Sequence, residues 1–231
     1  MHWNVVANNF DYFLWGAYPR GPLGGLALSI LLAAGGIFGA FWIGLLAGLG
    51  RLSRALWIKL PAVLYIEIVR GIPLLLMIFW FYFLGPVLFG EAMPATTSSL
   101  LAFIVFTGAY VAEIVRAGVL ALPRGQMEAA RSSGLTHVQA MRYVVLPQAL
   151  RNMIPSFVNQ FVSLTKDTSL ASIIGVLELT RAADQVNNRA LTAPTEIYLT
   201  ILVLYFIVCY VLTATSRRLE KQLARYQARS R

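Results

Sequence analysis

Asn152 to Leu177 reads NMIPSFVNQFVSLTKDTSLASIIGVL, and whether it crosses a membrane decides the architecture of the whole chain. Fourteen uncharged residues precede Lys166-Asp167 and ten follow the pair. Neither run alone can span a hydrocarbon core of ~30 Å, but together they can, at about 1.5 Å per residue of helix. A helix can carry an adjacent charge pair when it faces protein or water. We therefore take 152–177 as a hidden fifth span. The other four are plain: 21–50, 71–90, 92–112 and 197–216 are charge-free and at least 20 residues long each. The prediction is an all-α integral membrane protein of about five transmembrane helices.

Composition agrees. A chain of 231 residues that is 58% hydrophobic and 13% charged holds more apolar surface than a soluble domain of its size can bury. Its net charge of +9 would fit a nucleic-acid binder only if the cations clustered on one soluble face, but they lie between and after the apolar runs. With five spans, thirteen Lys and Arg fall on one side (Arg51, Arg54 and Lys59; four in 124–151; six from Arg217 on), against Arg20, Arg181 and Arg189 on the other. The positive-inside rule then places the N-terminus outside and the C-terminus in the cytoplasm. No basic residue precedes Arg20, and the following apolar run exceeds a signal peptide's ~7–15 residues, so the first helix is predicted to remain as a span. The basic tail, 217–231, places Leu219, Leu223 and Tyr226 at amphipathic spacing and reads as the cytoplasmic flank of the last span. Cys209 is the sole cysteine, so no intrachain disulfide forms; with two dispersed histidines, His2 and His137, there is no metal-ligand cluster.

Between spans three and four lies MEAARSSGLTHVQAMRYVVLPQALRNMIP, Met127 to Pro155, polar and helix-prone. Gly125 to Ser133 is predicted as a short helix, with Glu128 spaced to pair with Arg124 and Arg131. Gly134 would end it in a left-handed conformation, Thr136 and Gln139 would form a capping box for a second helix, and Pro147 would end that one. Composition alone would make this an ordinary polar connector. The order Glu128-Ala129-Ala130, Gly134, Leu146-Pro147 resembles the EAA loop of permease subunits in bacterial ABC importers, and YIEIVRGIPLLL, YVAEIVRAGVLALPRGQMEAA, LPQALRNMIP and KDTSLASIIGVLEL are similar to the subfamily that imports histidine, glutamate, glutamine, aspartate and related amino acids. The likeness runs from about Leu23 to Thr215.

That resemblance implies a transmembrane domain over 21–216, with a coupling loop at about 124–147, between an extracytoplasmic segment, 1–20, and the basic tail. It implies a multi-pass protein of the bacterial inner membrane. Glu128, Ala129, Ala130 and Gly134 would dock on ABC ATPase subunits, which would hold ATP and Mg. A second permease chain would complete the pathway and an extracytoplasmic binding protein would deliver substrate. The chain itself would be no enzyme, and it has no GxxxxGK[ST] phosphate loop.

Charged and polar residues in the spans are the candidates for a pathway. Glu67 with Arg70 and Glu113 with Arg116 are i, i+3 pairs, predicted as two self-contained salt bridges or a gate. Lys166 and Asp167 point about 100° apart on a helix and so each needs another partner. Asn159, Ser163 and Lys166 form one polar row, with Gln160 and Asp167 beside it and Thr168 and Ser169 following. Such a flank either lines a path for a zwitterion or forms a hydrogen-bonded seam between permeases. Asn159 and Gln160 are neutral where a cationic substrate would favour an acid, which points to glutamate, aspartate or their amides. The alternatives are another small polar solute, such as an opine or ectoine-like compound, or an ion-coupled carrier in which Glu113 or Asp167 moves protons.

Overall fold

Apolar helices dominate the computed structural model, which describes residues 2–229 and all of their side chains except those of residues 88, 89 and 219–229. Two short helices, α1 (Trp3–Asn8) and α2 (Phe10–Trp15), precede the long α3 (Gly25–Arg51). Next come α4 (Leu56–Gly71) and α5 (Leu74–Phe79), the latter continuing through a π turn into α6 (Gly85–Phe89). After α7 (Ala95–Leu120), the short α8 (Arg124–Ser132) and α9 (His137–Ala140) lead through a second π turn, Met141–Val145, into α10 (Leu146–Asp167). A 3₁₀ segment, Thr168–Ile174, connects to α11 (Leu179–Ala190) and then α12 (Pro194–Arg229). Among the described residues the only β pairings are two isolated bridges.

Among the described residues three helices are long and apolar enough to cross a membrane: α3, α7 and α12 over Pro194–Arg218. A fourth crossing is broken. Leu56–Gly71 and Leu74–Val87 pass together but meet at 108°. The span predicted at 71–90 therefore begins earlier, at Leu56, and takes in Lys59, Glu67 and Arg70 before it turns. Pro73 is the cause: it has no N–H to donate, and it holds Ile72 in an extended conformation (φ −103°, ψ 137°). The predicted 92–112 span likewise runs on to Leu120, because Glu113 and Arg116 neutralise one another on one face of α7.

Glycines set how these helices meet. A Cβ on Gly48 would lie 2.5 Å from the Ala112 carbonyl oxygen, and one on Gly36 would lie 3.3 Å from Phe103 Cβ. Gly35 faces Leu100 and Gly39 faces Ile104, so residue numbers rise together along α3 and α7 and the two helices are parallel. Parallel neighbours require a return passage between them, and the broken pair supplies it. Gly118 of α7 faces Met153 of α10, while Gly36 faces Leu164, so α10 runs the other way. Cys209 Sγ lies 4.0 Å from the Val162 carbonyl and Tyr205 reaches Glu178, so α12 reverses again.

The predicted 152–177 span is shifted. α10 starts at Leu146, and Lys166-Asp167 form its last two residues instead of its middle. Beyond them the hydroxyls of Thr168 and Ser169 donate to the carbonyls of Thr165 and Lys166, both at 2.8 Å, and the backbone tightens into the 3₁₀ segment. Pro147 does not end the second loop helix, a further correction. It sits in the first turn of α10, just past a π turn whose wider spacing accommodates a residue with no N–H to give.

Arg51, Arg116 and Arg124 gather at one end of the bundle, its basic end. At the opposite end α1 and α2 pack on α11 and α12, with Phe13 fully buried against Leu179, Ala183 and Val186. Residues 3–15 are thus a docked helical cap. α12 stays helical to Arg229, but the side chains of Leu219, Leu223 and Tyr226, and with them the amphipathic reading of the tail, lie outside the described residues.

Candidate functional site

The turn between α8 and α9 has the caps its sequence predicts. α8 ends at Gly134 (φ +88°) in a Schellman motif: Leu135 N–H donates to the Ala130 carbonyl (3.3 Å) and Gly134 N–H to that of Arg131 (3.0 Å). At Thr136 the capping box closes, with Gln139 N–H donating to Thr136 Oγ1 (3.3 Å) and Thr136 N–H to Gln139 Oε1 (2.8 Å). These contacts fix the angle between α8 and α9. Ala130 turns inward and is buried, whereas Glu128 and Ala129 face outward. The predicted pairing of Glu128 with Arg124 or Arg131 does not form; among the described residues the ion pairs are Arg51–Glu67, Arg51–Glu113 and Arg116–Glu113. Its carboxylate is left to solvent or a partner. Gln148 Nε2 donates to Gln126 Oε1 (3.1 Å), tying α8 to the first turn of α10. Sequence reasoning missed Val138 and Tyr143, which are 73% and 62% exposed and widen the outward surface. Their signal was two large apolar residues in a loop whose other outward positions are polar.

A second cluster sits at the basic end. Arg51, the last residue of α3, reaches Glu67 Oε1 of α4 (2.8 Å) and Glu113 Oε2 of α7 (3.2 Å). Arg116 closes on Glu113 Oε1 at 2.5 Å. The predicted Glu113–Arg116 pair is present. The predicted Glu67–Arg70 pair is not, because the Arg51 fork takes Glu67 and Glu113 together and joins three helices into one chain of charge. Arg70 instead lies over the Tyr110 ring, its guanidinium carbon 5.4 Å from the ring centroid. Arg51, placed in a loop by the sequence reading, is the residue that reading missed.

Beside this cluster a cavity of about 470 Å³ opens between α4, α7 and α10, lined by Arg70, Tyr110, Glu113, Asn152, Ser156 and Gln160 among others. Of the polar row predicted on α10, only Gln160 lines it. Asn159 and Lys166 are exposed, Ser163, Asp167 and Ser169 are half-buried, and Thr168 is buried. Asn159 and Lys166 thus share a polar face that stays exposed among the described residues. Lys166 and Asp167 form no ion pair with one another, as their divergence on the helix requires.

The opposite end holds an acid that the sequence reading passed over. Glu178 is fully buried, accepting hydrogen bonds from Tyr205 OH (2.8 Å), Ser29 Oγ (3.4 Å) and the Arg181 N–H (2.9 Å) at the start of α11. Ser29 Oγ in turn accepts from Leu179 N–H (3.1 Å). Burial pushes the Glu178 carboxyl above the usual carboxylate range, against the lowering effect of these donors. In sequence the acid is only the residue before a helix, which gave no sign that Ser29 of α3 and Tyr205 of α12 converge on it.

With the geometry in place, comparison with known proteins is direct. Residues 18–225 match the family described as "Binding-protein-dependent transport system inner membrane component". The L-cystine transport system permease protein TcyB of Bacillus subtilis is 36% identical over 98% of this chain and 93% of its own length. The glutamine transport system permease protein GlnP of Escherichia coli is 37% identical over 93% of this chain and 98% of its own. A crystal structure of an amino acid ABC transporter with histidines matches with a TM-score of 0.78 at 37% identity, covering 85% of this chain and 91% of that one. The MetNI methionine transporter matches at 0.75 but only 22% identity, a likeness of fold.

Proposed function

The chain belongs to the family of binding-protein-dependent transport system inner membrane components, and from that premise we propose that it forms the translocation pathway of an ATP-driven importer of polar amino acids. Five crossings alternate in direction: α3, the broken α4–α6 passage, α7, α10 and α12. The basic end faces the cytoplasm, and the cap of α1, α2 and α11 faces outward, toward an extracytoplasmic binding protein. A second permease chain covers the polar face of Asn159 and Lys166. Two ABC ATPase subunits, which carry ATP and Mg, dock on α8.

The observation that carries this reading is the outward face of α8. Glu128 is exposed and unpaired among the described residues, the small Ala129 beside it allows close approach, and caps on both sides fix the helix. Three residues separate α8 from α7, and Gln126–Gln148 ties it to α10. A push on α8 therefore reaches two of the three helices that wall the cavity, and ATPase closure becomes alternating access. For the substrate we favour glutamate, aspartate or their amides, because Gln160 offers a neutral polar group at the cavity; relatives named for glutamine and cystine support an amino acid substrate. Glu128→Arg tests the lever. The variant should stay folded in the membrane yet lose most ATPase co-purification and transport; full assembly and transport would refute the role given to α8.

A further inference from the structure

Of the three arginines around Glu67 and Glu113, namely Arg51, Arg70 and Arg116, two are spoken for. Arg51 and Arg116 bind carboxylates, and the chain Glu67, Arg51, Glu113, Arg116 holds two charges of each sign and cancels. Arg70 has no carboxylate within ion-pair distance among the described residues, yet it lines the cavity between α4, α7 and α10. Arg70 is exposed, so its guanidinium is open to the cavity, where no carboxylate within ion-pair distance among the described residues matches it and where Ile114, Ala117 and Met153 supply an apolar side. The guanidinium carbon of Arg70 lies 5.4 Å from the Tyr110 ring centroid, and a guanidinium offers the fork of N–H donors with which arginine grips a carboxylate through two parallel hydrogen bonds.

We propose that Arg70 holds the α-carboxylate of the transported amino acid in this cavity, with Tyr110 fixing the guanidinium. The inference rests on the importer reading above and deepens it by assigning a carboxylate subsite. A volume of about 470 Å³ suits a small molecule. Glu113 is no free acid for the ammonium, because Arg51 and Arg116 both donate to it and balance its charge. The Gln160 amide and Ser156 hydroxyl line the same cavity and offer neutral acceptors to the ammonium. The subsite thus demands a carboxylate and places no free acid where a cationic side chain would need one, in keeping with acidic or amide substrates.

The test uses the whole permease–ATPase complex in lipid nanodiscs without its binding protein, so that the binding protein's own selectivity does not enter. Binding of radiolabelled L-glutamine and L-glutamate is measured, with their α-carboxamides as competitors. Arg70→Gln should weaken binding about tenfold or more and abolish the preference for the free acid over the α-carboxamide. Arg70→Lys, which keeps the charge without the fork, should fall between, and Tyr110→Ala, which removes the ring that holds the guanidinium, should also weaken binding. Thermal unfolding of each variant separates lost binding from lost fold. Native-like affinity in a folded Arg70→Gln, or α-carboxamides that compete as well as the acids on the native complex, would overturn the carboxylate subsite and leave the importer reading standing. If the native complex binds neither probe nor any other of the twenty amino acids, both readings fall.

Discussion

Replacing Glu178 with alanine should loosen the capped end of the bundle by an amount the contacts allow us to work out. The carboxylate caps α11 through the Arg181 N–H, and losing an N-cap of this kind costs about 1 kcal/mol. Tyr205 loses its 2.8 Å acceptor at a buried position, worth about 1–3 kcal/mol when nothing replaces it. Thr180 Oγ1 remains 3.3 Å from the same hydroxyl, and Ser29 keeps its bonds to Gly25 and Leu179, so the sum lies nearer 2 than 4 kcal/mol. In a chain of this size that lowers Tm by roughly 4–8 °C, readable as thermal unfolding of the complex in detergent. The pH dependence carries the sign. Burial raises the Glu178 carboxyl in the native chain, which therefore holds the proton more tightly than the unfolded one. The stabilising effect is largest below the ordinary carboxylate range and falls as pH rises through the raised value. Glu178→Gln should remove that slope while largely keeping the shape. An unshifted Tm in Glu178→Ala would refute the reasoning, as would an unchanged pH slope in Glu178→Gln.

Two further outcomes follow from packing and from the uncovered face of α10. Gly48→Val should cost about 1–3 kcal/mol by forcing α3 and α7 apart, since its Cβ would meet the Ala112 carbonyl at 2.5 Å and Val115 at 2.8 Å; a native yield of folded protein and a native Tm would count against the parallel contact. Lys166→Ala, at the exposed end of α10, should reduce substrate-stimulated ATP hydrolysis more than assembly of the complex, and normal stimulation with intact substrate dependence would make Lys166 a structural residue.

Local chemistry was the part legible in the sequence. Gly134, Thr136 and Gln139 act through bonds within a few residues of themselves, so the α8–α9 turn could be read position by position. Long uncharged runs located α3, α7 and α12 for the same reason, as hydropathy needs no knowledge of neighbours. What escaped depended on residues distant in the chain. Charge at Arg51, Arg54 and Lys59 argued for a loop, but three-dimensional pairing of Arg51 with Glu67 and Glu113 lets α4 extend into the apolar region. The Glu67–Arg70 spacing was correct for a salt bridge and still failed, because Arg51 from another helix competed for the same acid. Glu178 was invisible for the same reason: Ser29 and Tyr205 lie 149 and 27 residues away. On α10 the periodicity of Asn159, Ser163 and Lys166 identified a common polar face, but the cavity opens beside it, at Gln160.

The central claim is that this chain conducts an amino acid when a partner hydrolyses ATP. Its most direct test is the ATPase activity of the purified complex in lipid, with its binding protein, across the twenty amino acids. Stimulation by glutamate, aspartate, glutamine or asparagine is the result predicted here; a chain that co-purifies with no ATPase, or a complex that responds to none of the twenty, would contradict it.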